Sequence, residues 1–319
     1  MIAFGPVPSR RLGRSLGMNN IPPKVCSYSC VYCQVGRTLN MQAKRQSFYT
    51  PERILEQVSE RVKSVRRAGE AIDYLTFVPD GEPTLDENLG RCIEVLKPLG
   101  TKIAVITNAS LIWREDVRAE LMNADWVSLK VDSVIEKIWR KTNRPHRSLR
   151  LSAILEGMLE FRSNYGGQLV TETMLAKGTN DAAENLKEVA GFLADLDPAR
   201  AYLSIPTRPP AEKRVHPPDE ETVNRAYQIL SRQVNQVEYL IGYEGDAFAF
   251  SGNVEENLLS TTAVHPMREE AVKELIQKSG AGWPVVQDLI KQGRLIETEY
   301  EGQRFYMRRF SKRKDDRHE

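Results

Sequence analysis

The chain has 319 residues, 41% of them hydrophobic and 28% charged, with a formal net charge of +2. That length leaves room for one large α/β domain and a small one, and the near-neutral balance excludes a global pull on nucleic acid. Four cysteines, three of them between positions 26 and 33, make no disulfide framework and fit a reducing compartment.

The first residues, Met1-Ile2-Ala3-Phe4-Gly5-Pro6, lack a charged start followed by an apolar core, so no signal peptide is expected. No apolar run approaches the roughly 20 residues of a membrane helix. A cytoplasmic protein without membrane contact is expected. Pro6, Pro8, Pro22 and Pro23 surround the basic run Arg10, Arg11, Arg14. Such a run is a solvated face, or a contact for a phosphate or an acidic substrate. Residues Ser15–Ile21 read as a strand delivering the chain to a cysteine loop.

That loop is Cys26-Ser27-Tyr28-Ser29-Cys30-Val31-Tyr32-Cys33. A short loop with this spacing can aim three thiols at one point. Thiolates hold iron–sulfur clusters, and three ligands leave one iron of a four-iron cube open for a small molecule. Structural zinc wants four closed N/S ligands, commonly arriving as two pairs, and no second Cys or His pair follows. The metal ligands expected are therefore Cys26, Cys30 and Cys33. Cys92 lies on the apolar stripe Leu89, Ile93, Leu96 and reads as a small buried hydrophobe.

After the loop, Thr50-Pro51-Glu52 opens a helix with a capping hydroxyl, a first-turn proline and an acid. Ile54, Leu55, Val58, Val62 and Val65 continue it to about Arg67. Strands and helices then alternate. Strands are expected at Asp73–Val78, Lys102–Thr107, Trp126–Asp132, Gln168–Leu175, Ala201–Pro206 and Val237–Tyr243. Helices are expected at Asp86–Leu96, Glu115–Asn123, Ser148–Phe161, Asn185–Leu196 and Glu220–Arg232, with Asp181 and Glu184 at helix-start spacing. Such alternation builds a parallel sheet under helices. The fold class is α/β, a partial (βα)6-type barrel over residues 1–251. A full eight-unit barrel is the alternative, and no eighth unit is found.

Residues 252–264 read as a linker. Residues 265–310 then read as a winged-helix-like module: helix Arg268–Lys278, a Gly280-Ala281-Gly282 turn, helix Pro284–Gln292 closed by Gly293, and a hairpin turning at Glu301-Gly302. A charged tail, 311–319, ends the chain. Arg304, Arg308 and Arg309 beside Phe305 and Tyr306 would suit RNA.

Barrel chemistry sits at the C-terminal ends of strands, and polar residues fall there. Asp80-Gly81-Glu82-Pro83, alone an ordinary turn, follows the first strand of the series, and Gly81 permits a close ligand approach. Thr107-Asn108-Ala109-Ser110 ends the next, where the Asn108 amide can meet polar groups of a ligand. Alternation puts Ser128, Lys130 and Asp132 on one face, which in a barrel should be the lumen. Glu172 interrupts an apolar strand and, if buried, needs a partner: Lys130, an Arg or a ligand. Arg208 can grip an anion at the end of its strand.

The cysteine loop resembles the CxxxCxφC signature of the radical S-adenosylmethionine (SAM) superfamily, with Tyr32 at the aromatic position. The resemblance implies a [4Fe–4S] cluster whose open iron binds SAM. One electron cleaves SAM to methionine and a 5′-deoxyadenosyl radical, which takes hydrogen from a substrate. Gly81, Glu82 and Pro83 resemble the GGEP element, with Asp80 at its first Gly, and imply backbone contact to the SAM amino group. Thr107 and Asn108 resemble a Thr-Asn-Gly element, with Ala109 replacing Gly. By the same resemblance Tyr32 lies beside the adenine and Asp132 and Ser128 contact SAM; from their own positions in the barrel, Lys130, Glu172 and Arg208 are expected around the substrate.

Phe4-Gly5-Pro6-Val7-Pro8-Ser9-Arg10-Arg11-Leu12-Gly13, with Asn19-Asn20 and Pro22-Pro23-Lys24, resembles the Fe–S oxidoreductase group related to tRNA wyosine synthase. That enzyme carries a second cluster on additional N-terminal cysteines. No cysteine precedes Cys26 here. Partners implied are an electron donor of flavodoxin or ferredoxin type and a substrate that is tRNA or other RNA, a protein or peptide, or a small molecule. A non-enzyme alternative is an Fe–S redox sensor binding DNA.

Overall fold

The computed structural model describes residues 2–241 and 253–309. An N-terminal hairpin, β1 (Ala3–Ser9) and β2 (Gly13–Met18), leads to two short strands, β3 (Val25–Cys26) and β4 (Asn40–Met41). Next come α1 (Pro51–Arg67), β5 (Tyr74–Phe77), α2 (Leu89–Leu96), β6 (Lys102–Thr107), α3 (Glu115–Leu121) and β7 (Trp126–Lys130). The series continues with α4 (Glu136–Asn143), α5 (Leu151–Asn164), β8 (Gln168–Met174), α6 (Ala183–Leu196), β9 (Arg200–Ser204), α7 (Glu220–Ser231) and β10 (Val237–Leu240). The C-terminal part holds α8 (Val254–Val264), β11 (Met267–Arg268), α9 (Glu269–Ser279), α10 (Pro284–Lys291), β12 (Leu295–Tyr300) and β13 (Gln303–Arg308).

One eight-stranded sheet runs β1-β2-β5-β6-β7-β8-β9-β10. Only the β1–β2 pair is antiparallel; the remaining ladders are parallel, each spanned by helical crossovers on the outside. Among the described residues β1 and β10 do not pair, so the sheet is a curled, open half-barrel of six βα units. The partial barrel expected from the sequence is present, and the eight-unit alternative is not.

Strand alternation gives the barrel its two apolar faces. Leu75, Phe77, Ile103, Val105, Val127, Leu129 and Leu169 pack outward against the helices. Ile54, Val58, Val62 and Val65 of α1 join them, each stabilising by roughly 1.5–3 kcal/mol when fully buried. Ala104, Trp126, Val170 and Tyr202 face inward and pack on Leu12 from the β1–β2 turn. The N-terminal hairpin therefore floors the lumen.

Several expectations need correction. β1 was not expected; it contains Pro6 and Pro8 and lies at the sheet edge, where missing N–H donors are tolerated. Helix α4 was not expected either. β7 stops at Lys130, so Asp132 lies beyond the strand. Helix α6 takes its N-cap from Ala182 without a side-chain bond, so the Asp181–Glu184 box is not formed. The segment 252–264 is no linker where described: it carries α8, whose Leu258 and Leu259 share a core with Val272, Leu275, Val286, Leu289 and Tyr306. The two helices and hairpin expected over 265–310 are present, joined by β11 in a three-stranded sheet ordered β11-β13-β12. Phe305 and Tyr306 are each 1% exposed and present no stacking surface, and Tyr306 is part of that core. The tail 311–319 lies outside the described residues.

Candidate active site

The cysteine loop crosses the C-terminal mouth of the barrel and is fastened from three sides. Helix α4 provides the first. Its terminal carbonyls have no partner within the helix. The Val31 N–H donates to Thr142 at 2.9 Å and the Ser29 N–H to Asn143 at 3.1 Å. Trp139 of the same helix meets Tyr28 edge to face at 5.8 Å and donates to its hydroxyl at 3.2 Å. The second fastening is Gly81, at φ 156°, which bridges directly to Val25. A Cβ there would collide with the Val25 carbonyl. The third is Lys24, whose backbone N–H donates to the Asp80 carbonyl at 2.7 Å and whose amine pairs with the Asp80 carboxylate at 2.9 Å. Asp80, which departs from the GGEP pattern, thus ties the approach to the loop. Burial pushes its carboxyl up to about 6 against the pull of Lys24.

The three loop thiols are free and partly buried, whereas Cys92 is fully buried in the core. N–H groups point at their sulfurs. The Asn108 amide and the Tyr28 N–H each approach Cys26 Sγ at 3.5 Å, and the Asn143 amide approaches Cys30 Sγ at 3.5 Å. Surrounding protein pushes all three thiols up, Cys30 to about 12, so binding a metal there must release protons. Among the described residues no three His, Cys, Asp or Glu side chains gather tightly enough for one metal ion. A four-iron cube differs: each thiolate bonds a different iron, and the sulfurs stand apart. Three thiols, two of them with N–H donors aimed at the sulfur, fit such a cluster, since hydrogen bonds to sulfur tune its potential.

Glu82 staples the ends of β5 and β6. Its carboxylate accepts from the Thr107 hydroxyl at 2.6 Å, the Thr84 hydroxyl at 2.6 Å, the Thr84 N–H at 3.0 Å and the Asn108 N–H at 2.7 Å. Burial raises its pKa, and these donors oppose the rise. The side chains of Glu82 and Thr107 therefore serve each other. Pro83 is buried, and its carbonyl accepts from Asn20 at 3.0 Å. Ala109 stands at φ 61°, the left-handed conformation for which Gly is favoured.

Asp132 is equally occupied. It accepts from the Asn143 amide at 2.6 Å, from the Met174 N–H at 2.8 Å, and from the Tyr32 hydroxyl. It thus locks Tyr32 to the barrel rim. Ser128 is buried below it, at 1% exposure.

Glu172 and Lys130 meet in the lumen at 2.8 Å, as expected. The second cation on Glu172 is Arg11, 161 residues away, at 2.7 Å; Ser204 donates to the same carboxylate at 2.9 Å. The Arg11 guanidinium stands 5.9 Å from the ring centres of both Trp126 and Tyr202. Burial works against the Glu172 charge, but Lys130 and Arg11 outweigh it and hold the carboxyl well below its usual range. Burial likewise disfavours the Lys130 cation, but Glu172 and Asp132 more than offset it and raise its pKa. Lys130 Nζ stands 5.1 Å from the Tyr32 ring centre, which links the lumen to the cysteine loop. Arg208 is not part of this network; its guanidinium donates to Gln34 just past the loop at 3.0 Å.

Sequence reasoning missed Arg11, Asn143 and Lys24 as members of the site. Arg11 stood out only as part of a basic run, and nothing local tied it to Glu172, because its partners come from distant strands. Asn143 sits at the end of a helix that was not foreseen.

An open half-barrel with a three-cysteine loop across its mouth defines a class. The radical SAM superfamily matches residues 20–193, and the chain belongs to that superfamily. Within it, the chain is 52% identical to a UPF0026 protein of Methanocaldococcus jannaschii, over 98% of this chain and 97% of that protein. The fold is shared with TYW1 bearing a lysine–pyruvate adduct: TM-score 0.53, 14% identity, 69% of this chain and 74% of TYW1. It is also shared with Streptococcus suis SuiB bound to the precursor peptide SuiA: TM-score 0.51, 13% identity, 70% of this chain and about half, 48%, of SuiB. The protein is thus a radical SAM enzyme using a [4Fe–4S] cluster and SAM. No described helix is long and apolar enough to cross a membrane.

Proposed function

We propose that Cys26, Cys30 and Cys33 hold the cluster, and that the protein removes hydrogen from a macromolecular substrate whose reacting group enters the lumen above Lys130 and Glu172. When bound, the reduced cluster and SAM supply the carbon-centred radical for that step. The chain's own residues do the rest. Gly81 to Pro83 present backbone at the rim for the SAM amino group. Asn108 offers its amide beside Cys26. Asp132 holds Tyr32 as a wall for the adenine. The Arg11–Glu172–Lys130 network keeps a fixed charge pattern facing the substrate, preorganised before it arrives.

One observation carries the macromolecular reading. The β12–β13 turn reaches the loop after β9: the Tyr300 hydroxyl donates to the Pro206 carbonyl at 3.4 Å, and Glu301 meets His216 at 3.2 Å. A winged-helix-like module joined to the mouth in this way can present a large substrate to it. Between the macromolecules, the module's charges favour a protein or peptide. Arg304 lies between Glu269 at 2.9 Å and Glu297 at 3.4 Å, and Arg294 pairs with Glu255 at 3.2 Å. Cations held by carboxylates are poorly placed to neutralise phosphates. SuiB, which shares the fold, binds a precursor peptide.

tRNA or another RNA is the second reading. It rests on Lys312, Arg313, Lys314 and Arg317 in the tail and on the likeness to the wyosine-synthase group. The test is anaerobic: reconstitute the cluster, add SAM and dithionite, and quantify 5′-deoxyadenosine with bulk tRNA or with a peptide fraction. Stimulation by peptide supports the first reading, and stimulation by tRNA replaces it with the second. A Cys26→Ala/Cys30→Ala/Cys33→Ala variant that still forms 5′-deoxyadenosine would sink both.

A further inference from the structure

Reductive cleavage of SAM takes one electron from outside the chain, and the outer side of the cysteine loop shows where it can enter. Two neighbouring residues of the loop face different ways. Tyr32 turns its ring to Lys130 and the lumen. Val31 instead lines an open pocket of about 110 Å³ with Lys141, Lys177, Gly178, Thr179, Arg214 and Val215. Beside it, Arg37, Arg144 and Arg214 gather on one carboxylate, Glu212, at 2.9, 2.8 and 3.9 Å. The Glu212 N–H donates to the Val31 carbonyl at 3.1 Å and so ties this set to the loop. Five cations stand here against Glu212 and, 3.8 Å from Lys177, Asp219. The side chains of Arg37, Lys177 and Arg214 are 68%, 60% and 66% exposed, so their charge faces water.

We propose that this basic face docks a small acidic electron-transfer protein, of the flavodoxin or ferredoxin type, that reduces the cluster. The proposal rests on the reading of Cys26, Cys30 and Cys33 as cluster ligands. Charge complementarity steers such a partner and raises its encounter rate. Distance favours the same face. Val31 and Val215, which line the pocket, are buried at 2% and 4% exposure and belong to a packed group with Tyr32, Met174 and Ala176 against which Cys30 lies. The wall of the pocket thus belongs to the packed group that touches the thiol, and electron transfer falls steeply with distance. The pocket lining carries no aromatic ring on which a base could stack, which sets it apart from a single-stranded RNA site. In the transfer, the donor's centre is oxidised by one electron and the cluster held by this chain is reduced by one; no atom or proton moves.

The test uses the full chain with its cluster reconstituted. Binding of an oxidised recombinant flavodoxin, and separately of a ferredoxin, is followed by calorimetry at low and high salt. The rate at which each reduced donor bleaches the cluster is followed by stopped flow. Lys177→Glu/Arg214→Glu should weaken binding and slow reduction by about tenfold or more. Lys177→Arg/Arg214→Lys should stay within about twofold of the parent, because the charge is retained. Turnover driven by dithionite should be equal in all three. The proposal falls if neither donor binds, if charge reversal leaves binding and rate unchanged, or if a single-stranded RNA binds this face in the donors' place and loses affinity on reversal. The calorimetric arm alone decides the face. Absence of 5′-deoxyadenosine with dithionite counts against the proposed function instead.

Discussion

Replacing Glu172 by Gln tests the lumen network most directly. The side chain keeps its shape and loses its charge. Two buried cations, Arg11 at 2.7 Å and Lys130 at 2.8 Å, then share an amide in place of a carboxylate. All three side chains are at most 16% exposed, so water screens them little. Breaking a buried ion pair by removing one partner costs about 3–5 kcal/mol. For a chain of this size each kcal/mol moves Tm by about 2 °C, so Glu172→Gln should melt roughly 6–10 °C below the parent near neutral pH. The sign with pH follows from the depressed folded pKa of Glu172. Its contribution is fully present above the unfolded value of about 4.3 and is lost as pH falls toward the folded one. The Tm gap should therefore narrow in acid. Differential scanning fluorimetry of the cluster-free protein between neutral pH and about pH 3 measures both effects. A gap under about 2 °C at pH 7, or one that stays constant into acid, would refute the reasoning.

Three further outcomes are expected. Single Cys→Ser changes at Cys26, Cys30 or Cys33 should remove the visible absorption of a reconstituted cluster, while Cys92→Ala keeps it and costs roughly 1 kcal/mol of packing, read by denaturant unfolding. Ala109→Gly should leave stability within about 1 kcal/mol of the parent, because relief of the strain at φ 61° is offset by the lost burial of a core methyl group and by the greater freedom of glycine in the unfolded chain; a loss of more than about 2 kcal/mol would contradict that backbone. Gly81→Ala should sharply reduce iron bound per chain after reconstitution, since its methyl group would collide with the Val25 carbonyl at the start of the cysteine loop; full iron loading would show that this bridge is dispensable.

The barrel was readable because its signals are local. β6 begins and ends where alternation and flanking residues put it, and α1 announces itself through Thr50, whose hydroxyl caps the Arg53 N–H. α8 hid because Asn257, Leu258, Leu259, Ser260, Thr261 and Thr262 are all buried. A helix covered on most sides shows no polar stripe and reads as irregular. α4 hid because it is short, eight residues, and rich in cations. The cysteine loop was legible from three thiols alone. Its supports were not, because Asn143 and Lys24 matter only for what they touch in space. The same holds for Glu172: a strand carboxylate demands a partner, but that the partner is Arg11 depends on a hairpin folding beneath the sheet.

That hairpin gives the lumen a floor that belongs to no βα unit. Leu12 and Arg11 sit on the turn between β1 and β2 and rise among Trp126, Val170 and Tyr202. The depth of the well, and the charge at its bottom, are thus set by three or four residues of a single turn. A longer turn would make the well shallower and a smaller side chain would deepen it, with every barrel strand left in place. Relatives that share the cysteine loop could in this way be fitted to substrates of different reach by editing a segment close to the beginning of the chain.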